Sequence, residues 1–155
     1  MGYVIKGLAP DNFTPLFDLD ESALAARDMV RVTATSKPGY PCRVSLLDAE
    51  PGEELVLLHH ESHDAATPYR SAYAIYVREN AHEAALYENA IAPVLKGRPI
   101  ALRLFGKDGM LRGADLVLEG RCEATIERAF ADEEIAYIHA HNAAHGCFAA
   151  QIDRL

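Results

Sequence analysis

The chain lacks any apolar run approaching the roughly 18 residues that a membrane-spanning helix needs, so no membrane span is expected. It lacks positive charge as well: 15 Lys and Arg face 23 Asp and Glu, for a net charge of −8. A nucleic-acid partner rewards clustered cations, and here Lys and Arg are scattered singly, which argues against one. Cysteine is scarce and odd in number. Cys42, Cys122 and Cys147 lie far apart, which speaks against a disulfide framework and fits reduced thiols. The N-terminal "MGYVIKGLAPDNF" has no charged segment followed by a long apolar one, as a secretory signal requires. Lys6 stands where an N-myristoylation signal calls for Ser or Thr. The expectation is a cytoplasmic, acidic, monomeric or homo-oligomeric protein.

Several reaction classes are missing their signatures. "GKDG" lacks the upstream glycine and the following hydroxyl residue of a P-loop, and no G-x-G-x-x-G occurs. No G-x-S-x-G elbow offers a hydrolase serine. "HHESH" at 59–63 resembles the zincin motif, but His63 comes one residue too soon after Glu61. "HEAAL" from His82 has Leu86 where the second histidine belongs. The first is read as a solvated loop and the second as a solvated helix face. No metal is assigned, and no cofactor is indicated.

What the chain does contain is a 50% hydrophobic, 25% charged composition over 155 residues. That suits one globular domain, 1–155, able to bury roughly 70% of its unfolded surface. "YVIKGL", "VRVTAT", "EELVLLHH" and "SAYAIYVRE" read as strands, and "ESHDAATPYR" between the last two as a polar loop. "LDESALAARDM" reads as a short helix capped by Asp20 or Ser22 and anchored by Leu24. "NAHEAALYENA" carries Ala84, Tyr87 and Ile91 at helical spacing. In "PIALRLFGKDGMLRGADLVLE", Asp108-Gly109 predicts a hairpin through a type I′ turn. "GRCEATIERAFADEE" predicts a helix with Cys122, Ile126 and Phe130 on one face. With strands outnumbering helices and no regular βαβ alternation, the expected fold is α+β: a single compact domain on a largely antiparallel β-sheet with a few short helices.

The richest chemistry lies in "AYIHAHNAAHGCFAAQID". As a hairpin with Gly146 in its loop, it pairs His141 with Cys147, His139 with Ala149 and Tyr137 with Gln151. Tyr137, His139, His141 and Cys147 then share one side, while Ala136, Ile138, Ala140, Phe148, Ala150 and Ile152 form an apolar side. A helix over "NAAHGCFAAQIDRL" is the competing reading, with Ala144, Phe148 and Ile152 four apart. The polar side suits a ligand pocket, a metal site on His139, His141 and a thiolate, or Cys147 as nucleophile with a histidine base. It equally suits structural polar contacts. Arg43 in "GYPCRVSL" and Arg70 in "TPYRSAY" each follow a prolyl-aromatic turn, which would hold a guanidinium fork ready for an anion. The alternative pairs each with a carboxylate such as Asp48, Glu50 or Asp64.

Together, "GYPCRVSLLDAEPGEELVLL", "TPYRSAYAIYVRE" and "AYIHAHNAAHGCFAAQIDR" resemble a bacterial family, Domain of Unknown Function 1203, from about Phe13 to Arg154. The resemblance implies a bacterial source and a compact domain, with no reaction, substrate or cofactor attached. It groups the three segments as candidates for a shared pocket. In it Arg43 and Arg70 bind an anionic small molecule, and Tyr69, His139, His141 and Asn142 orient it. Catalysis, if any, falls to His139, His141 or Cys147. The remaining expectation is a non-catalytic structural or interaction domain.

Overall fold

Two antiparallel sheets organise the chain, of which the computed structural model describes residues 2–155. The larger is built from β1 (Tyr3–Lys6), β5 (Leu86–Glu88), β6 (Ile100–Phe105), β7 (Leu111–Val117), β8 (Tyr137–Asn142) and β9 (Phe148–Arg154), in the order β5-β1-β9-β8-β6-β7. The smaller is β2 (Val30–Thr33), β3 (Glu54–His63) and β4 (Ser71–Arg78), in chain order. Two helices, α1 (Glu21–Ala25) and α2 (Cys122–Phe130), complete an α+β fold. Among the described residues no helix is long and apolar enough to cross a membrane.

The helices follow from their termini and periodicity. Asp20 caps α1 by accepting from Ala23 N at 2.8 Å, and Leu24 is fully buried. α2 lays Cys122, Ile126 and Phe130 on the large sheet, where they meet Ile138, Ala140, Ala150 and Ile152 in one apolar cluster. The second cluster joins Val56, Leu58, Ile75 and Val77 of the small sheet to Phe13 and Leu24 of the N-terminal segment.

Four local expectations are corrected. No helix forms over 80–90; β5 pairs with β1 instead, Ile5 opposite Tyr87, because a ladder of backbone hydrogen bonds outweighs a weak helical spacing. The β6–β7 turn is not type I′, since Gly109 has φ +75° whereas Asp108 is not left-handed. Gly109 N instead donates to Gly106 O, and Gly106 N to Met110 O, the pattern of a longer hairpin loop closed by a left-handed glycine. Strand β3 continues through "ESH", so His63 is no solvated loop residue but a side chain only 4% exposed. Finally, the β8–β9 register is two residues from the expected one, with Tyr137 opposite Asp153 and His139 opposite Gln151.

A shift of two preserves which side chains share a face, so Tyr137, His139 and His141 still stand together. A bulge then changes the pattern: Ala140 faces Ala150, yet His141 faces Phe148, leaving Ala149 as the extra residue. Phe148 consequently leaves the helix-side core, which takes Ala149, Ala150 and Ile152. Its ring lies 5.1 Å from that of His139 and 6.0 Å from that of His141.

The histidine side of the large sheet is therefore not a solvated surface. His139 and His141 are 2% and 3% exposed. The end of the β3–β4 hairpin covers them, with His63 5.3 Å from His139 and Tyr73 5.0 Å from His141, ring to ring. Phe105 and Tyr137 extend the same layer.

Candidate functional site

The segment that follows the Pro-Gly-Tyr-Pro loop is tied down on both sides. Arg43 N donates to Tyr76 O of β4, and Leu8 N donates to Arg43 O. Gly7 makes this possible, because a Cβ there would fall on the Val44 carbonyl. So fixed, Arg43 sends its side chain inward to the start of β9. It is 2% exposed and among the bulkiest fully enclosed side chains of the protein. Nε donates to Phe148 O at 2.8 Å, Nη1 to Pro41 O, and Nη2 to Cys147 Sγ at 3.1 Å. Among the described residues it makes no ion pair with a carboxylate, although the chain is rich in them. Burial pushes its pKa below the ordinary arginine value, and the adjacent Cys147 partly opposes that.

Arg43 and Cys147 open onto a cavity of about 650 Å³. Its walls are the 38–41 loop, the β4 residues Tyr73 and Tyr76, the β8–β9 turn with Asn142 and His145, and Arg98. Arg98 is held by both oxygens of Asp48, at 3.1 and 2.9 Å. Asn142 contributes Nδ2, which donates to Cys147 Sγ at 3.4 Å, while its Oδ1 is buried with no hydrogen-bond partner. A buried acceptor left unpaired is costly, and it marks a place where a donor is wanted.

The sequence-derived candidates separate into three groups. Arg43, Asn142 and Cys147 meet at the cavity. His141 and His139 stand behind it, in the layer between the sheets, and do not line it. Tyr69 and Arg70 are elsewhere: Tyr69 uses its carbonyl to receive His63 Nδ1 at 3.0 Å, and exposed Arg70 forks onto Glu61 at 2.8 and 3.2 Å. The first and third motif segments thus come together. The second reaches the cavity through Tyr73 and Tyr76, not through Tyr69 and Arg70. Residues that sequence reasoning missed are Tyr73, Tyr76 and Arg98. Arg98 alone had a signal, since "KGRP" sets an arginine within two residues of a proline, as the other two segments do.

The histidines are poised for packing more than for proton transfer. Burial, reinforced by neighbouring His63 and His141, drives the His139 pKa down to about 3. Burial also lowers that of His141, against the opposing effect of its hydrogen bond from Nδ1 to Gly146 O at 2.9 Å. His63 donates from Nδ1 to a carbonyl, so as a neutral ring its Nε2 accepts from the Tyr137 hydroxyl at 2.7 Å. Among the described residues no group of three or more His, Cys, Asp or Glu side chains is arranged to hold a metal ion.

No curated protein and no solved structure matches the chain. One family model does, over residues 39–154, a span that holds the Arg43 segment, both strands of the β3–β4 hairpin and the whole β8–β9 turn. Its description is "Protein of unknown function (DUF1203)", and with most of its length matched this chain belongs to that family.

Proposed function

We propose that this protein binds a small anionic molecule in the cavity between the 38–41 loop, β4 and the β8–β9 turn. The observation that carries the reading is Arg43: a guanidinium enclosed in protein, with three of its five N–H groups spent on two carbonyls and a thiol and none on a carboxylate. Burying a cation without a counter-ion is expensive, and an anion arriving in the cavity would relieve that cost. Tyr73 and Tyr76 offer apolar walls with polar tips, and Asn142 Oδ1 offers an acceptor for a ligand donor. Arg98, already neutralised by Asp48, would orient the ligand more than attract it. His139 and His141 serve as a rigid back wall in this reading.

The test is a titration with inorganic phosphate and with succinate, followed by the NMR resonances of the Asn142 side-chain amide and the Arg43 Nε–H. Saturable shifts confined to the cavity are expected, weakening as ionic strength rises. Replacing Arg98 with Gln unbalances Asp48 beside the ligand and should weaken binding by about tenfold. Shifts that are absent or unsaturable with millimolar probe would sink the reading.

A further inference from the structure

We infer that Cys147 is a nucleophilic thiol, held by Arg43 and Asn142, that exchanges with a small disulfide entering the cavity. The inference rests on the anion-binding reading only for the charge of that disulfide. Of the three cysteines, Cys42 and Cys122 are buried and Cys147 is half-buried at the cavity wall. Two N–H donors converge on its sulfur, Arg43 Nη2 at 3.1 Å and Asn142 Nδ2 at 3.4 Å. Both aim an N–H at the sulfur, so each would stabilise the negative charge that develops there when the resting thiol gives up its proton to attack. A second, independent observation points to an incoming group. Asn142 is 9% exposed, its amide lies on the sulfur, and its Oδ1 has no partner. A ligand N–H reaching past Cys147 would complete it.

The surroundings also select the chemistry. The recorded partners of Sγ are both donors, and no histidine is among them. His141 has Nδ1 committed to Gly146 O, and His145, two residues from Cys147 at the cavity wall, makes no hydrogen bond to Sγ among the described residues. Cleaving an amide or ester would require a proton for a poor leaving group. A disulfide requires none, because its leaving sulfur departs as a stable thiolate. In the exchange the Cys147 thiolate attacks one sulfur of the incoming disulfide. The ligand S–S bond breaks as the new mixed S–S bond forms, so Cys147 is oxidised while the departing sulfur is reduced. The proton first lost by Cys147 goes to solvent, and the leaving thiolate takes one back from solvent.

The experiment is intact-mass kinetics on the whole protein with oxidised glutathione, which is anionic, and cystamine, which is cationic. The mixed disulfide should form at Cys147 alone, at least about tenfold faster than on N-acetylcysteine at the same pH. Cys147→Ser should abolish it. Arg43→Lys should slow it, since a lysine cannot fork onto Phe148 O, Pro41 O and Sγ together. Because that buried change can compromise folding, Asn142→Asp gives an isosteric second variant. Its carboxylate at the sulfur should slow exchange by about tenfold. Reaction at Cys147 no faster than N-acetylcysteine, or equal rates in wild type and Asn142→Asp, would overturn the inference. Fast exchange at Cys147 with no preference for glutathione disulfide over cystamine would support the nucleophile and remove the anion pocket.

Discussion

The two faces of the large sheet are made by the same strands and are held in different ways. On one, Ile138, Ala140, Ala150 and Ile152 meet α2 in a cluster whose buried titratable groups, Cys122 and Tyr3, are both pushed up by burial, to about 11 and about 12, and so stay neutral. On the other, one position along, Tyr137, His139, His141 and Phe148 meet His63, Tyr73 and Phe105. The first face is stabilised by area removed from water, the second by area plus the neutrality of its imidazoles. Cavity and thiol lie at the rim of the second face, where an aromatic layer can be rigid while still offering hydrogen-bonding groups. The difference teaches that a strand reading "YIHAH" can be buried on both sides without being apolar on both.

The largest expected effect breaks the apolar face. Phe130 is 1% exposed and sits among Ile126, Ile138 and Ile152, with the Arg154 guanidinium 4.8 Å from its ring centre. Phe130→Ala should cost about 3–5 kcal/mol in urea unfolding, nearly independent of pH between 5 and 7. A pH-dependent cost there would erase the contrast between the faces.

The next effect is confined to the other face. The His139 pKa falls from an ordinary 6.5 in the unfolded chain to about 3 in the fold, so the unfolded state binds more protons between those values. Stability from this group is complete above pH 6.5 and is lost as pH falls toward 3. At pH 5 the loss from His139 alone is about 2 kcal/mol, in a window where carboxylates stay ionised. His63, His141 and Arg103 face the same ring, and all three disfavour its charge. Unfolding curves at pH 5 and pH 7 should show this slope in the wild type and lose most of it in His139→Gln.

Much of the frame was legible because it is local. The cap of Asp20, the four-residue spacing of Cys122, Ile126 and Phe130, and the alternation in β8 each act within one element. What stayed hidden depends on partners far along the chain. β5 is a strand because β1 needs an edge neighbour, and nothing within 80–90 says so. The bulge at Ala149 carries no residue signature, yet it moves Phe148 from the helix side to the histidine side. Alternation correctly gathered Tyr137, His139 and His141, but not the sheet that buries them. At the site, Arg43 and Cys147 meet across 104 positions of sequence. Arg70 sits in the same kind of turn as Arg43 but finds Glu61 on the adjacent strand of its own hairpin. Two arginines with the same local sequence logic part ways because one is covered by β9 and the other faces water.

The smallest effect sharpens the comparison where the two sheets touch. The Tyr137 hydroxyl meets His63 Nε2 at 2.7 Å, and His63 Nδ1 is fixed by the Tyr69 carbonyl at 3.0 Å. Removing the hydroxyl leaves the ring stack with Phe105, at 5.3 Å between centres, untouched. What is lost is one hydrogen bond and the satisfaction of a largely buried imidazole nitrogen, so Tyr137→Phe should cost about 1–2 kcal/mol. Urea unfolding of the variant measures that cost, and a loss below about 0.5 kcal/mol would mean that packing against Phe105 and His139, not the bond to Tyr137, holds the His63 ring in place.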